Sequence, residues 1–235
     1  MKGKDKIKAQ VEQRKEAESK VRAEKKQSGV VKKNKGQKYD ITDDDLIGYL
    51  NENRVGDAKL YSRLFRDSVV FVKYWDRYLV WGGHHWIEDH YNIAMQNIEY
   101  VCELYLRLAQ NKLDEVRNTK DKDAQEFLKN IADEATRRVK KLRDKPGQDN
   151  LSEMLRRIRD PLILLPKYID KQHYIKACPN GVIDLRTGEL RPGRPEDYIL
   201  NAIETEYDPD LLQLDDPCPE TRTHFIILAR TRGVG

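Results

Sequence analysis

The sequence predicts an α+β domain in which small antiparallel β elements flank a central helical section, behind a flexible basic arm. Three observations carry that expectation. Apolar residues recur at helical spacing through residues 92–160, as in the stripe Ile98, Val101, Leu104, Tyr105 and Leu108. Short β-branched and aromatic runs lie on either side, punctuated by Gly82-Gly83, Asn180-Gly181 and Thr187-Gly188. The first 38 residues carry charge but almost no apolar periodicity.

That arm dominates the electrostatics. Residues 1–36 hold thirteen Lys and Arg against five Asp and Glu, a local +8, whereas the whole 235-residue chain is formally +4. The rest of the chain therefore sums to −4, and the basic character belongs to the arm. Ile7, Val11 and Val21 are too few apolar anchors to support a fold, so residues 1–38 are expected to be frayed and partly helical. They read either as a solvated tail or as a device that meets nucleic-acid phosphates, with Lys25, Lys26, Lys32, Lys33 and Lys35 as contact candidates. Cys102, Cys178 and Cys218 form no CxxC pair, which suits a reducing cytoplasm better than a disulfide framework. No apolar run of about 18 residues occurs and no secretory leader follows Lys2–Lys8, so a soluble cytoplasmic protein is expected.

The elements follow in order. Thr42 is an N-cap candidate, with acidic residues in the first turn and Leu46, Ile47 and Leu50 on one face. Leu60, Leu64 and Phe65 continue helically. Residues 69–72, 78–81 and 85–87 read as a meander turning at Gly82-Gly83. Residues 92–118 and 121–145 read as two long helices in a hairpin, the second ended by Pro146-Gly147. A third helix is expected over 150–160, closed by Pro161. Residues 174–178, 182–185 and 189–190 then read as short strands, and 200–207 as one more. The domain is expected over residues 39–216, with a tail at 217–235.

Several stretches invite a chemical reading. GELRPG places Gly188 and Gly193 at phosphate-loop separation, but Arg194-Pro195 follows where a Lys and a hydroxyl are needed, so no nucleotide is expected there. His84, His85, Glu88, Asp89 and His90 resemble a metal set, yet strand alternation splits them between two faces, and no metal or cofactor is expected. The basic set Arg137, Arg138, Lys140, Lys141, Arg143 and Lys145, with Arg156, Arg157 and Arg159, is either a solvated helix face or a surface for DNA backbone or a subunit. Tyr61, Trp75, Tyr78, Trp81 and Trp86 are candidates for base stacking, against packing in the core. GxSxG, HExxH and a cysteine in a catalytic setting are all absent from the sequence, so it does not read as an enzyme by itself.

Two blocks carry a family resemblance. In residues 59–90, Trp75, Tyr78, Leu79, Val80, Trp81, Gly83, Trp86 and Asp89 follow the pattern W-x-x-W-L-V-W-x-G-x-x-W-x-x-D, with Tyr78 in place of a tryptophan. In the second block Asn180, Gly181, Val182, Asp184, Leu185, Arg186, Thr187, Gly188, Glu189 and Leu190 match N-G-V-x-D-L-R-T-G-E-L, followed by Pro195, Asp197, Tyr198, Ile199, Tyr207, Asp208, Pro209, Cys218 and Pro219. Together they resemble the phage and plasmid replicative primase-helicases related to poxvirus primase-helicase, over residues 57–219.

In that family the region precedes a superfamily 3 helicase core, an AAA+ ATPase that assembles as a hexameric ring. The resemblance implies a helicase-associated N-terminal module that binds DNA, positions the helicase, or both, without an ATPase core of its own. The implied partners are DNA, a helicase core or other replication proteins, and further copies of the chain. Residues 223–235 depart from the family's continuation, which reads as a truncated, split or isolated module. The alternative is a protein-interaction or regulatory module without DNA contact. The signature residues Trp75, Trp81, Trp86, Asn180, Gly181, Asp184, Arg186, Thr187 and Gly188 are expected to be architectural, with Gly181 and Gly188 supplying positive φ at turns.

Overall fold

The computed structural model describes residues 41–158 and 162–208, so the predicted arm with its five lysine candidates, Arg159, Pro161 and the predicted tail lie outside the described residues. Thr42 opens the fold as a reciprocal cap. Its hydroxyl accepts from the Asp45 amide at 3.1 Å and the Asp45 carboxylate accepts from the Thr42 amide at 3.1 Å. Two amides that a helix start leaves unpaired are thereby satisfied, and replacing such a cap by alanine costs about 1 kcal/mol. The helix it starts, α1, spans Asp43–Asn51. Asn53 takes a left-handed φ of 57° and redirects the chain into α2, Asn53–Phe65.

The expected meander follows as β1 (Val69–Val72), β2 (Arg77–Trp81) and β3 (Trp86–Glu88), antiparallel throughout with Val70 opposite Leu79 and Trp81 opposite Trp86. A short helix α3 (Ile93–Gln96) leads to α4 (Ile98–Asn118), α5 (Lys122–Arg143) and α6 (Lys145–Leu155). Strand β4 (Ile163–Leu164) then joins β1 in parallel, giving the order β3-β2-β1-β4. The sheet is therefore mixed rather than wholly antiparallel. A parallel neighbour needs a long crossover, and the helical section provides it. A 3₁₀ turn at Pro166–Tyr168 precedes a second, antiparallel sheet of β5 (Ile175–Cys178), β6 (Gly181–Asp184) and β7 (Leu190–Arg191). The α+β class is as the sequence predicts.

Three boundaries differ from expectation, each for a local reason. The helix predicted over 92–118 is divided at Asn97, the C-cap of α3 and the N-cap of α4, and α3 is started by the Asp89 carboxylate, which takes the Ile93 and Ala94 amides, each at 2.8 Å. The third helix begins at Lys145 rather than 150. Pro146 sits in its first turn, where a missing N–H costs nothing, so this proline opens α6 as well as ending α5. Residues 200–207 form no strand beyond one bridge between Ala202 and Ala177. Side chains take its amides instead: Asp170 holds Leu200 and Asn201, and Asn180 holds Tyr207.

Strand period divides the core. Val69 and Val80 face the main cluster, built by Leu46, Leu50, Leu60, Tyr105, Leu108, Val139 and Leu151 from the helices. Val70, Val72, Leu79, Trp86 and Leu164 form a second cluster, covered by Ile169, Tyr198 and Leu200. The β5–β7 sheet has only small clusters of its own, around Ile175, Val182 and Ile199 and around Cys178, Ile183 and Tyr207.

Candidate nucleic-acid interface

The two sequence blocks are joined in space. Trp86 is buried, its indole Nε1–H donates to the Pro195 carbonyl at 2.8 Å, and its amide donates to the Ile199 carbonyl at 2.7 Å. Trp81 packs edge-on against it at 5.5 Å. The Gly193 amide donates to His84 Nδ1 at 3.3 Å, and a Cβ at Gly193 would lie 2.5 Å from the His84 backbone. Arg191 grips Asp197 with two bonds of 2.7 and 2.8 Å, and the same carboxylate accepts from the Arg194 amide. Gly188 and Gly193 bracket strand β7, so GELRPG runs extended and makes no phosphate nest.

The rest of the second block ties its own turns. Asn180 donates to the Tyr207 carbonyl at 2.7 Å and accepts from its amide at 3.1 Å, while the Tyr207 hydroxyl reaches the Gly188 carbonyl at 2.9 Å. Asp184 accepts from the Arg186 amide and guanidinium, which hold its carboxyl down at about 2. Arg186 also lies 3.8 Å over the Tyr174 ring. The Thr187 hydroxyl accepts from the Glu189 amide at 3.3 Å, and Gly188 turns with φ 74°. Gly181 has a φ of 159°, a positive value that side chains rarely adopt, as expected, and a Cβ there would also sit 2.7 Å from the Arg191 carbonyl oxygen.

The basic set divides. Arg138 is 4% exposed, turned inward with Ala135, Val139 and Leu142. Its guanidinium donates to Asn53 at 2.7 Å and sits 3.5 Å from both Asp57 and Glu134. The Tyr105 hydroxyl donates to Asp57 at 2.9 Å. Burial pushes Asp57 up to about 6, with Arg138 and the Tyr105 hydrogen bond pulling it back. Arg138 is thus an internal charge, and helix period explains why: it shares the inward stripe of α5 instead of the solvent side.

The other cations face water. Arg137 pairs with Glu134 at 3.1 Å and Arg143 with Glu99, while Lys140 and Lys141 are exposed. Beyond α6, Arg156 pairs with Asp76 at 3.3 Å and lies 4.2 Å over the Phe71 ring, and Arg157 pairs with Glu153 at 2.6 Å. The two exposed groups are separated by the length of α6, about 16 Å.

Of the aromatic candidates, Tyr61 is buried with its hydroxyl on the Ala94 carbonyl, and Tyr78 packs against Phe71 with its hydroxyl 3.0 Å from Ser152. Only Trp75, 37% exposed, reaches solvent appreciably. The histidines do not converge: His85 is held low by burial and by His84, and His90 lies 3.7 Å from Glu88. Among the described residues no group of three or more His, Cys, Asp or Glu is placed to hold a metal ion.

The family described as D5 N terminal like matches residues 58–226, which takes in both blocks and the helical section between them. The chain belongs to that family. The D5 N-terminal-like domain is the N-terminal region of primase-helicase-like proteins. No curated protein matches the chain. In this D5 N-terminal-like domain no helix among the described residues is long and apolar enough to cross a membrane.

Two residues of this domain stand out in the structure but not in the sequence. Among the described residues Tyr74 is the most exposed large hydrophobic side chain, at 85%. The signal was the four-residue span 73–76 between two strand runs, where a turn leaves aromatics uncovered. Asp57, the partner of Arg138, sat unremarked in a helical stretch, and nothing in its local sequence marks it as buried.

Proposed function

We propose that this chain is the helicase-associated N-terminal module of a phage, prophage or plasmid replication protein, and that it holds DNA by phosphate contacts while positioning or oligomerising a helicase core. The family match over residues 58–226 carries the reading. The exposed cations Arg137, Lys141, Arg156 and Arg157 support the DNA contact, together with Lys25, Lys26, Lys32, Lys33 and Lys35 of the arm. Each phosphate neutralised releases counterions, so affinity falls with salt, by a slope of about 0.7 per contact on single strands and about 0.9 on duplex.

Fluorescence anisotropy of labelled DNA with the full chain at two salt concentrations tests this. The five arm lysines changed to alanine are expected to weaken binding and flatten its salt dependence. Binding that survives unchanged moves the contact to the folded body. A full chain without DNA affinity at low salt sinks the DNA contact and leaves a docking module. The second reading has its own support in Leu106 and Leu113, exposed seven residues apart on α4, and in Phe127 on α5, 64% exposed. Such side chains on a helical hairpin suit a protein partner.

A further inference from the structure

One end of the mixed sheet gathers exposed rings and cations from three separate parts of the chain. Strand β1 leaves the sheet at Val72 into the turn that holds Lys73, Tyr74 and Trp75. Strand β4 runs parallel to β1 with Leu164 beside Val72, so it leaves at the same end, into the 3₁₀ turn that carries Lys167 and Tyr168. Arg156 arrives from the end of α6, over Phe71 and beside Asp76 of the same turn. Tyr74 is almost wholly exposed, Trp75 and Tyr168 about two-fifths so, and Lys167 lies 5.0 Å over the Tyr168 ring.

The carboxylates at this end are mostly engaged. Asp76 is matched by Arg156, and Glu88 by Arg77. Among the described residues, Lys73 and Lys167 have no carboxylate partner within salt-bridge reach, so the surface carries an excess of positive charge. Adjacent strands lie about 4.8 Å apart, which puts the β1 and β4 turns side by side.

We infer that this sheet end is a binding platform for single-stranded nucleic acid, with Tyr74, Trp75 and Tyr168 stacking on bases and Lys73 and Lys167 holding phosphates, while Arg156 braces the β1 turn through Asp76 and Phe71. Rings left open to water beside unpaired cations match a ligand that offers π-faces and regularly spaced negative charge. A duplex keeps its bases stacked on one another and offers only the phosphates, so the rings discriminate in favour of the single strand. Every base has a π-face, so sequence preference is weak. The inference rests on the DNA-contact reading above and sharpens it to a strand type and a place.

The test uses the full chain with an oligothymidylate of about 16 nucleotides and a duplex of equal length. Trp75 is the most exposed of the chain's three tryptophans, so its fluorescence is expected to fall on single-strand binding. Tyr74→Ala is expected to weaken oligothymidylate binding about 10-fold, with duplex binding unchanged and Tyr74→Phe restoring the affinity. Lys73→Ala is expected to reduce the salt slope by about 0.7. Both side chains are exposed, and an unchanged circular dichroism melt checks the fold. Salt-dependent DNA binding that ignores Tyr74→Ala, or that drops equally for duplex, overturns the platform and leaves the DNA contact standing elsewhere. No binding to either DNA by the full chain overturns both.

Discussion

The helical section and the β-rich junction hold themselves together by different means. Helices α4 and α5 pack through a broad apolar stripe whose requirement is size and hydrophobicity, and among the described residues the ion pair of Asp57 with Arg138 is buried in it, with Lys112 buried at its edge beside Asp43 and Glu115. At the junction the apolar clusters are small, and side chains bond backbone atoms far away in sequence: Trp86 to Pro195, Asn180 to Tyr207, Asp170 to Leu200 and Asn201. A stripe accepts many letters, whereas a carbonyl that must receive an indole N–H accepts one or two. That is why the recognisable motifs lie in the two β blocks and the helices between them show only a pattern.

Substitutions can break or sharpen this contrast, and the largest effect is expected at Trp86. Trp86→Ala removes both a buried ring and the Nε1–H bond, and is expected to cost about 3–5 kcal/mol in urea-monitored unfolding. A cost below that of a helical Leu108→Ala would mean the two blocks are held by something other than this contact.

Next comes pH, through Asp57. Its carboxyl is raised in the fold from 3.8 to about 6, so the folded state binds the proton more tightly than the unfolded chain does. The stabilisation is full below pH 3.8 and is lost as pH rises through about 6, a change of about 3 kcal/mol. Asp57→Asn is expected to abolish that slope in melts taken across the window. A slope that persists would assign it to other groups.

Asn180→Asp keeps the shape but loses the amide that donates to the Tyr207 carbonyl, at an expected cost of about 1–3 kcal/mol. Its helical counterpart, Leu108→Met, conserves volume and is expected to cost less than about 1.5 kcal/mol. If the two swaps cost the same by chemical denaturation, the contrast between the regions is wrong.

Much of the fold was legible because local chemistry and tertiary packing agree. The Thr42 cap, the β1–β3 meander and the stripes of α4 and α5 are set by spacing that a reader of the chain can count. The misses occur where a distant partner overrides local pattern. Residues 200–207 look like a strand until Asp170 and Asn180 claim their amides. Arg138 looks like one more cation in a basic run until Asp57, on another helix, makes the interior habitable for it. Pro146 carries both a stop and a start signal, and the chain uses both. The candidate site was the least legible part, because the turns of β1 and β4 become neighbours only through a parallel pairing across the whole helical section.

The bond from Trp86 to Pro195 spans 109 residues, and this separation has a kinetic side. Contacts so distant form late, since the intervening chain must surrender its freedom before they return any stability. The meander and the helical hairpin can assemble from nearer partners, leaving the second block to close over a body already formed. Interactions absent from the transition state govern how fast a protein comes apart. The seam between the blocks is therefore the place that sets this domain's lifetime against unfolding, and mutations along it are expected to accelerate unfolding far more than they slow folding.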